Sequence, residues 1–271
     1  DTGNLATINS VNYIWPSSQA TGSGQVLTND GSGNLTWAPG GGSAVSLIGS
    51  TNGLVSNPTP GATTETWLGY GAGAASASTS NTIFIGQSAG SGAVSADSAI
   101  FLGATAGSGA INAYGSNFIG GGSGFGATDA NDSNFFGQSA GYQALRASYS
   151  NFLGIRAGDG ATDAYASNFF GLRAGISATN ASYSNFFGYQ SGENATSAND
   201  SNFFGQFAGF QASQANNSNF FGYRSGYQAT GANTSNFLGQ FSGYQATSAI
   251  GSNFLGNQAG YGATNAQYSN F

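Results

Sequence analysis

The chain has 271 residues, enough for one large or two modest domains, yet only 5% of them are charged and 46 are glycine. Lysine, methionine, cysteine and histidine are absent and Glu65 and Glu193 are the only glutamates, which argues against a helical or α/β domain and removes disulfides, thiolate metal sites and imidazole chemistry. A net charge of −6, with four arginines as the only basic residues, offers no cationic surface to nucleic acid or to an anionic membrane.

Against disorder stand 21 Phe, 13 Tyr and 3 Trp, which carry more burial energy than a low-complexity chain holds. No apolar run approaches the roughly 20 residues that span a bilayer, so no membrane insertion within this chain is expected. The chain opens at Asp1 without an initiator Met or signal peptide and stops in mid-repeat at Phe271. It therefore reads as a processed or partial chain, or as one whose rods join end to end.

Residues 1–42 read as a joining or capping module. Gln25 to Trp37 holds two β-rich runs around a glycine turn and predicts a β-hairpin. With Tyr13-Ile14-Trp15-Pro16 it resembles short modules that precede repeat regions in tail-fibre-like and surface proteins. Residues 43–62 read as a linker or first cap. Gly40-Gly41-Gly42 and Asn57-Pro58-Thr59-Pro60-Gly61 bracket an apolar piece containing Leu47, Ile48, Leu54 and Val55.

From residue 63 to 271 the chain repeats every 17 residues. Glycine recurs from Gly69 through Gly86 and Gly103 to Gly256, each followed by another glycine four residues on. Two residues before each stands an aromatic: Trp67, then Phe84, Phe101, Phe118, Phe135, Phe152, Phe169, Phe186, Phe203, Phe220, Phe237 and Phe254. The residue directly before the glycine is Leu, Ile or Phe, and alanine recurs seven and ten residues after it.

An odd period would flip every side chain if the chain ran on as one strand, so each repeat must close into a coil. The expected fold is all-β: a parallel β-solenoid (β-roll) of about twelve to thirteen 17-residue coils. Each rung is expected to use Ser-Asn-Phe-Phe as one strand, Gly-x-x-Ala-Gly as a turn and Ala-Thr-x-Ala as a second strand. Stacking aligns identical residues about 4.8 Å apart, giving Phe and Ala ladders and an Asn ladder through Asn117, Asn134, Asn151, Asn168, Asn185, Asn202, Asn219, Asn236, Asn253 and Asn270.

Adjacent residues on a strand face opposite ways, so in a pair such as Phe169 and Phe170 one must point outwards. An uncovered outward row exceeds the apolar patch a soluble monomer normally shows, which predicts self-association. Segments such as Thr82-Ile83-Phe84-Ile85-Gly86 and Ala99-Ile100-Phe101-Leu102-Gly103 resemble the β-roll head repeats of trimeric autotransporter adhesins. The Asn-Phe-Phe-Gly repeats, over residues 63–271, resemble long repeat proteins of bacterial surfaces and tail fibres. The resemblance to the autotransporter heads implies left-handed coiling and trimerisation.

Serines without His, Lys or Cys leave only carboxylates and the N-terminus as an activating base, so an enzyme is not expected, nor a cofactor. Asp129 with Asp132 and Asp159 with Asp163 are the paired carboxylates, and Asp129, Asp132 and Asp163 fall in the turn before the strand. They read as turn residues, with a catalytic pair or local calcium binding as the alternatives; the run Gly120 to Asp129 resembles the calcium-binding nonapeptide but has Gly126 at its acid position.

A threonine column, Thr128, Thr162, Thr179, Thr196, Thr230, Thr247 and Thr264, is interrupted by Leu145 and Ser213 and gives ice binding as a remote alternative. Tyr142, Phe210, Tyr227, Tyr244 and Tyr261, with Tyr189 and Tyr223 near them, are the candidate surface contacts, for sugars or for a neighbouring copy. Arg156, Arg173 and Arg224 share a further column. The expected function is an extracellular structural rod on a cell surface or appendage, a scaffold or adhesin, built from identical chains as a homotrimer or filament. The alternative is a tail-fibre-like module recognising surface glycans.

Overall fold

The computed structural model describes residues 5–8, 11–14, 25–29, 35–39, 54–55 and 65–271. The chain divides into two compact units, Asp1–Ser46 and Leu47–Phe271.

The first unit contains two antiparallel pairs. The expected hairpin is present as β3 (Gln25–Asn29) and β4 (Leu35–Pro39), with Leu27 opposite Trp37. Thr28 and Thr36 face each other, their hydroxyl oxygens 3.2 Å apart. A pair the sequence did not announce precedes it: β1 (Leu5–Ile8) lies against β2 (Val11–Ile14), with Ile8 opposite Val11. Its connecting residues, Asn9-Ser10, lack the glycine that usually marks a two-residue hairpin loop. Trp15, Pro16, Gly40–Gly42, Leu47, Ile48 and Asn57–Gly61 lie outside the described residues.

The second unit is an all-β parallel solenoid. Its sheet begins within the segment 43–62, where β5 (Leu54–Val55) pairs antiparallel with β6 (Thr66–Leu68). Strands β7 to β17 follow one per coil: Ile83–Ile85, Ile100–Leu102, Asn117–Ile119, Asn134–Phe136, Asn151–Leu153, Asn168–Phe170, Asn185–Phe187, Asn202–Phe204, Asn219–Phe221, Asn236–Leu238 and Asn253–Leu255. From β6 onwards each strand pairs in parallel with the next, so Phe169 sits on Phe186 and Phe170 on Phe187. Twelve strands at the usual inter-strand spacing give a stack of about 50 to 55 Å.

One coil shows how 17 residues close. After β12, Gly171 leaves the strand at φ +137°, and three turns follow, with Ala174, Ile176 and Ala178 donating N–H to the carbonyls of Gly171, Arg173 and Gly175. Gly171, Arg173, Gly175, Ser177, Asn180 and Tyr183 all have positive φ. This alternation aims successive amides along the stack axis, first one way and then the other: Arg173 donates back to Ile155 O (2.9 Å) and Gly175 forward to Ser191 O (2.8 Å). A coil in isolation would leave these amides unpaired, so stability comes from its neighbours.

The interior holds one large side chain per coil. Phe84 to Phe254 are wholly buried, with successive ring centroids 4.6–5.0 Å apart and planes within 11° of parallel. Trp67 instead meets Phe84 edge-on at 87°. The remaining inward positions are small. Ala174, Ala178, Ala181 and Ser184 fill the rest of that turn, and all four are fully buried. A Cβ on Gly175 would lie 2.2 Å from the Phe169 ring, which explains the second glycine of every repeat.

The expected second strand is reduced. Ala77, Val94, Ile111, Thr128, Leu145 and Thr162 form only single-residue parallel bridges. The physical reason is the left-handed residue that follows each of them, such as Asp129 and Asp163, which ends the extended conformation after one residue.

The serine before each Asn-Phe was expected to be part of the strand. It is instead a buried polar column just before it. Ser133 Oγ donates to Ala147 O of the next coil (2.6 Å) and accepts the Ser150 N–H (3.0 Å), and the same pattern recurs from Ser116 to Ser252. These buried hydroxyls are satisfied by the backbone alone.

Candidate functional site

The outer surface of the solenoid is built from columns. On the strand face, the residues before the coil glycines, Leu68 to Leu255, point outwards. Phe170, Phe187, Phe204 and Phe221 stack at 4.7–4.9 Å. Stacking covers the ring faces and leaves the edges to solvent, so Phe221 is 38% exposed and the others less. Two residues earlier, on the same face, runs the Asn ladder, each Nδ2 donating to the next Oδ1 over 2.7–2.9 Å from Asn117 to Asn270. Asn134, Asn151, Asn168, Asn185, Asn202, Asn219, Asn236 and Asn253 are thus occupied along the stack.

A second band lies on the turn side of the later coils. Phe210, Tyr227, Tyr244 and Tyr261 form a stacked row at 4.9–5.1 Å. Tyr142 stacks on Phe125 in a separate, shorter row. Tyr189 meets Phe207 edge-on, and Phe207 and Phe241 extend the band beside Tyr223. The structure therefore brings together six of the seven candidate aromatics and leaves Tyr142 apart. Phe207 and Phe241 were not among the candidates, although their position two residues after the coil glycine, in the Arg156, Arg173 and Arg224 column, marks them.

Arg224 lies among these rings. Its guanidinium carbon is 5.2–5.9 Å from the centroids of Phe207, Tyr223, Tyr227 and Phe241, within cation–π range. The other three arginines have acidic partners: Arg146 with Asp163, Arg156 with Asp159 (2.8 Å) and Arg173 with Glu193. Arg224 has none among the described residues, and its Nε is buried without a hydrogen-bond partner. Beside it a cavity of about 380 Å³ is lined by Arg224, Phe241, Tyr244, Gln258 and Tyr261.

The carboxylates are distributed differently. Asp129, Asp132 and Asp163 occupy left-handed turn positions. Asp129 accepts from Asn112 Nδ2 (2.7 Å), while Asp159 and Asp163 face separate arginines. Among the described residues no three acidic side chains converge. The threonine column faces outwards, with Val94, Ile111 and Leu145 in line with it and about 40% exposed. No helix among the described residues is long and apolar enough to cross a membrane.

These features define a β-solenoid repeat protein with 17-residue coils. Comparison of the chain with protein-family models, curated proteins and solved structures finds no match.

Proposed function

We propose that the chain is an extracellular structural rod of a cell surface or appendage, a scaffold or adhesin in which identical copies pack side by side. The observation that carries this reading is the outward ladder from Leu68 to Leu255, a continuous apolar stripe whose ring edges remain open to solvent. A stripe of this length, with a polar Asn ladder beside it, suits a repeating lateral contact between coils in register. The repeats' resemblance to autotransporter heads makes a trimer the favoured assembly, with an end-to-end filament as the second.

The mass of the purified chain in solution tests the proposal. A trimer or polymer is expected; a stable, monodisperse monomer at high concentration overturns it. Antibody labelling of intact producing cells tests the location, and a signal only after permeabilisation counts against a surface role.

Recognition of surface glycans, in the manner of a tail fibre, draws support from the aromatic band around Arg224. Ice binding draws less, because aliphatic residues interrupt the threonine column.

A further inference from the structure

We infer that the cavity beside Arg224 is a binding site for an acidic saccharide, one carrying a carboxylate or a sulfate. The inference deepens the glycan reading and is independent of the rod: saccharide binding tests the one, mass in solution the other.

The electrostatics point to an anion. The chain is acidic as a whole, yet residues 201–271 contain no Asp, Glu or Lys, and Arg224 is the only charged side chain in them. A guanidinium without a counter-ion, at the edge of low-dielectric rings, attracts an anion more strongly than one already paired with a carboxylate. The contrast with Arg156 and Arg173, which occupy the same column with acidic partners, locates the excess positive charge on this part of the surface.

The lining points to a sugar. Tyr261, stacked on one face only, and Phe241 present aromatic surface for the C–H faces of a pyranose, while Tyr244, stacked on both faces, offers its edge and hydroxyl, and Gln258 offers an amide donor and acceptor for hydroxyls. Tyr244 and Tyr261 are stacked on each other at 4.9 Å, so their orientation is set before any ligand arrives. The volume of about 380 Å³ lies at the small end of small-molecule sites and suits one sugar residue, with its neighbours in the chain left in solvent. The acid group would pair with the Arg224 guanidinium, whose planar fork matches a carboxylate or sulfate.

The test is titration of the whole chain with three probes: a galacturonate trisaccharide, a sulfated carrageenan disaccharide, which carries no carboxylate, and neutral maltotriose. Tighter binding of one acidic probe than of maltotriose, weakened by added salt, is expected, and the better acidic probe identifies the acid group. Arg224→Gln should weaken that binding about 10- to 100-fold, the loss typical of a charge-assisted bond. Glutamine already occupies this column at Gln190 and Gln258, so the coil accommodates it. Tyr261→Ala, at the exposed rim, should weaken all saccharide binding and serves should Arg224→Gln fail to fold. Absence of saturable binding, equal binding of acidic and neutral probes, or unchanged binding in Arg224→Gln overturns the inference. So does an Arg224→Gln variant whose only change is its assembly mass, which would make the band a contact between copies.

Discussion

Gly171 stacks on Gly188 of the next coil so closely that a Cβ on the former would sit 2.6 Å from the carbonyl oxygen of the latter. Backbone meets backbone here, and no side-chain movement can relieve the contact. Gly171→Ala should therefore cost about 3 kcal/mol or more, the clash adding to an unfavourable φ of +137°. At Gly109, by contrast, a Cβ meets nothing within 4 Å. Asparagine already occupies that column at Asn194, so Gly109→Asn should change the urea midpoint little. Equal losses at the two sites would contradict the stacking geometry.

The buried serine column predicts a penalty that apolar burial would not. Ser133→Ala leaves both the Ala147 carbonyl and the Ser150 N–H without their bonds to the hydroxyl. A loss of about 1 to 3 kcal/mol is expected. Ser133→Thr should restore part of it, because Thr82 fills the same column and donates to Ala96 O (2.8 Å). Urea unfolding of the two variants is the comparison, and a neutral Ser133→Ala would sink the argument.

Phe203 is wholly buried and stacked on both faces. Truncation to alanine should cost about 3 to 5 kcal/mol. Phe203→Asp should cost more, because it places an unpaired charge among alanines. Because each coil depends on its neighbours, hydrogen exchange should accelerate most in the coils adjoining the substitution. Uniform acceleration over the solenoid would argue for a single cooperative core instead.

The outward ladder should behave in the opposite way. The double variant Phe187→Thr, Phe204→Thr keeps β-favouring residues while removing apolar edge from the face proposed for packing between copies. It should lower the mass of the assembly and the melting temperature by only a few degrees. Unchanged mass would remove this face from the interface.

Much of the solenoid is legible in the sequence because stacking converts a spacing into a column. The 17-residue period, the Phe ladder and the Asn ladder all follow from residue identity recurring at one interval, and β12 to β15 repeat Asn-Phe-Phe in register. The second strand illustrates the limit. Ala-Thr-x-Ala has strand composition, but Asn180 adopts φ +48° directly after Thr179, and no propensity of asparagine alone requires that.

The candidate site divides along the same line. The tyrosines five residues after the coil glycines were visible as a column, and the absence of acid after Asp200 is written in the sequence. That Arg224 lies within 6 Å of four rings is a tertiary fact, since Phe207, Tyr227 and Phe241 come from three different coils.

The sequence by itself determined the period, the parallel stacking and the opposition of the two phenylalanines in each Asn-Phe-Phe strand, because pleat and repeat length permit nothing else. Only the tertiary structure decided which phenylalanine is inside. The two have identical chemistry, and the choice falls to space: Gly175, with no Cβ, leaves room for the Phe169 ring, while Phe170 turns outwards to stack on Phe187.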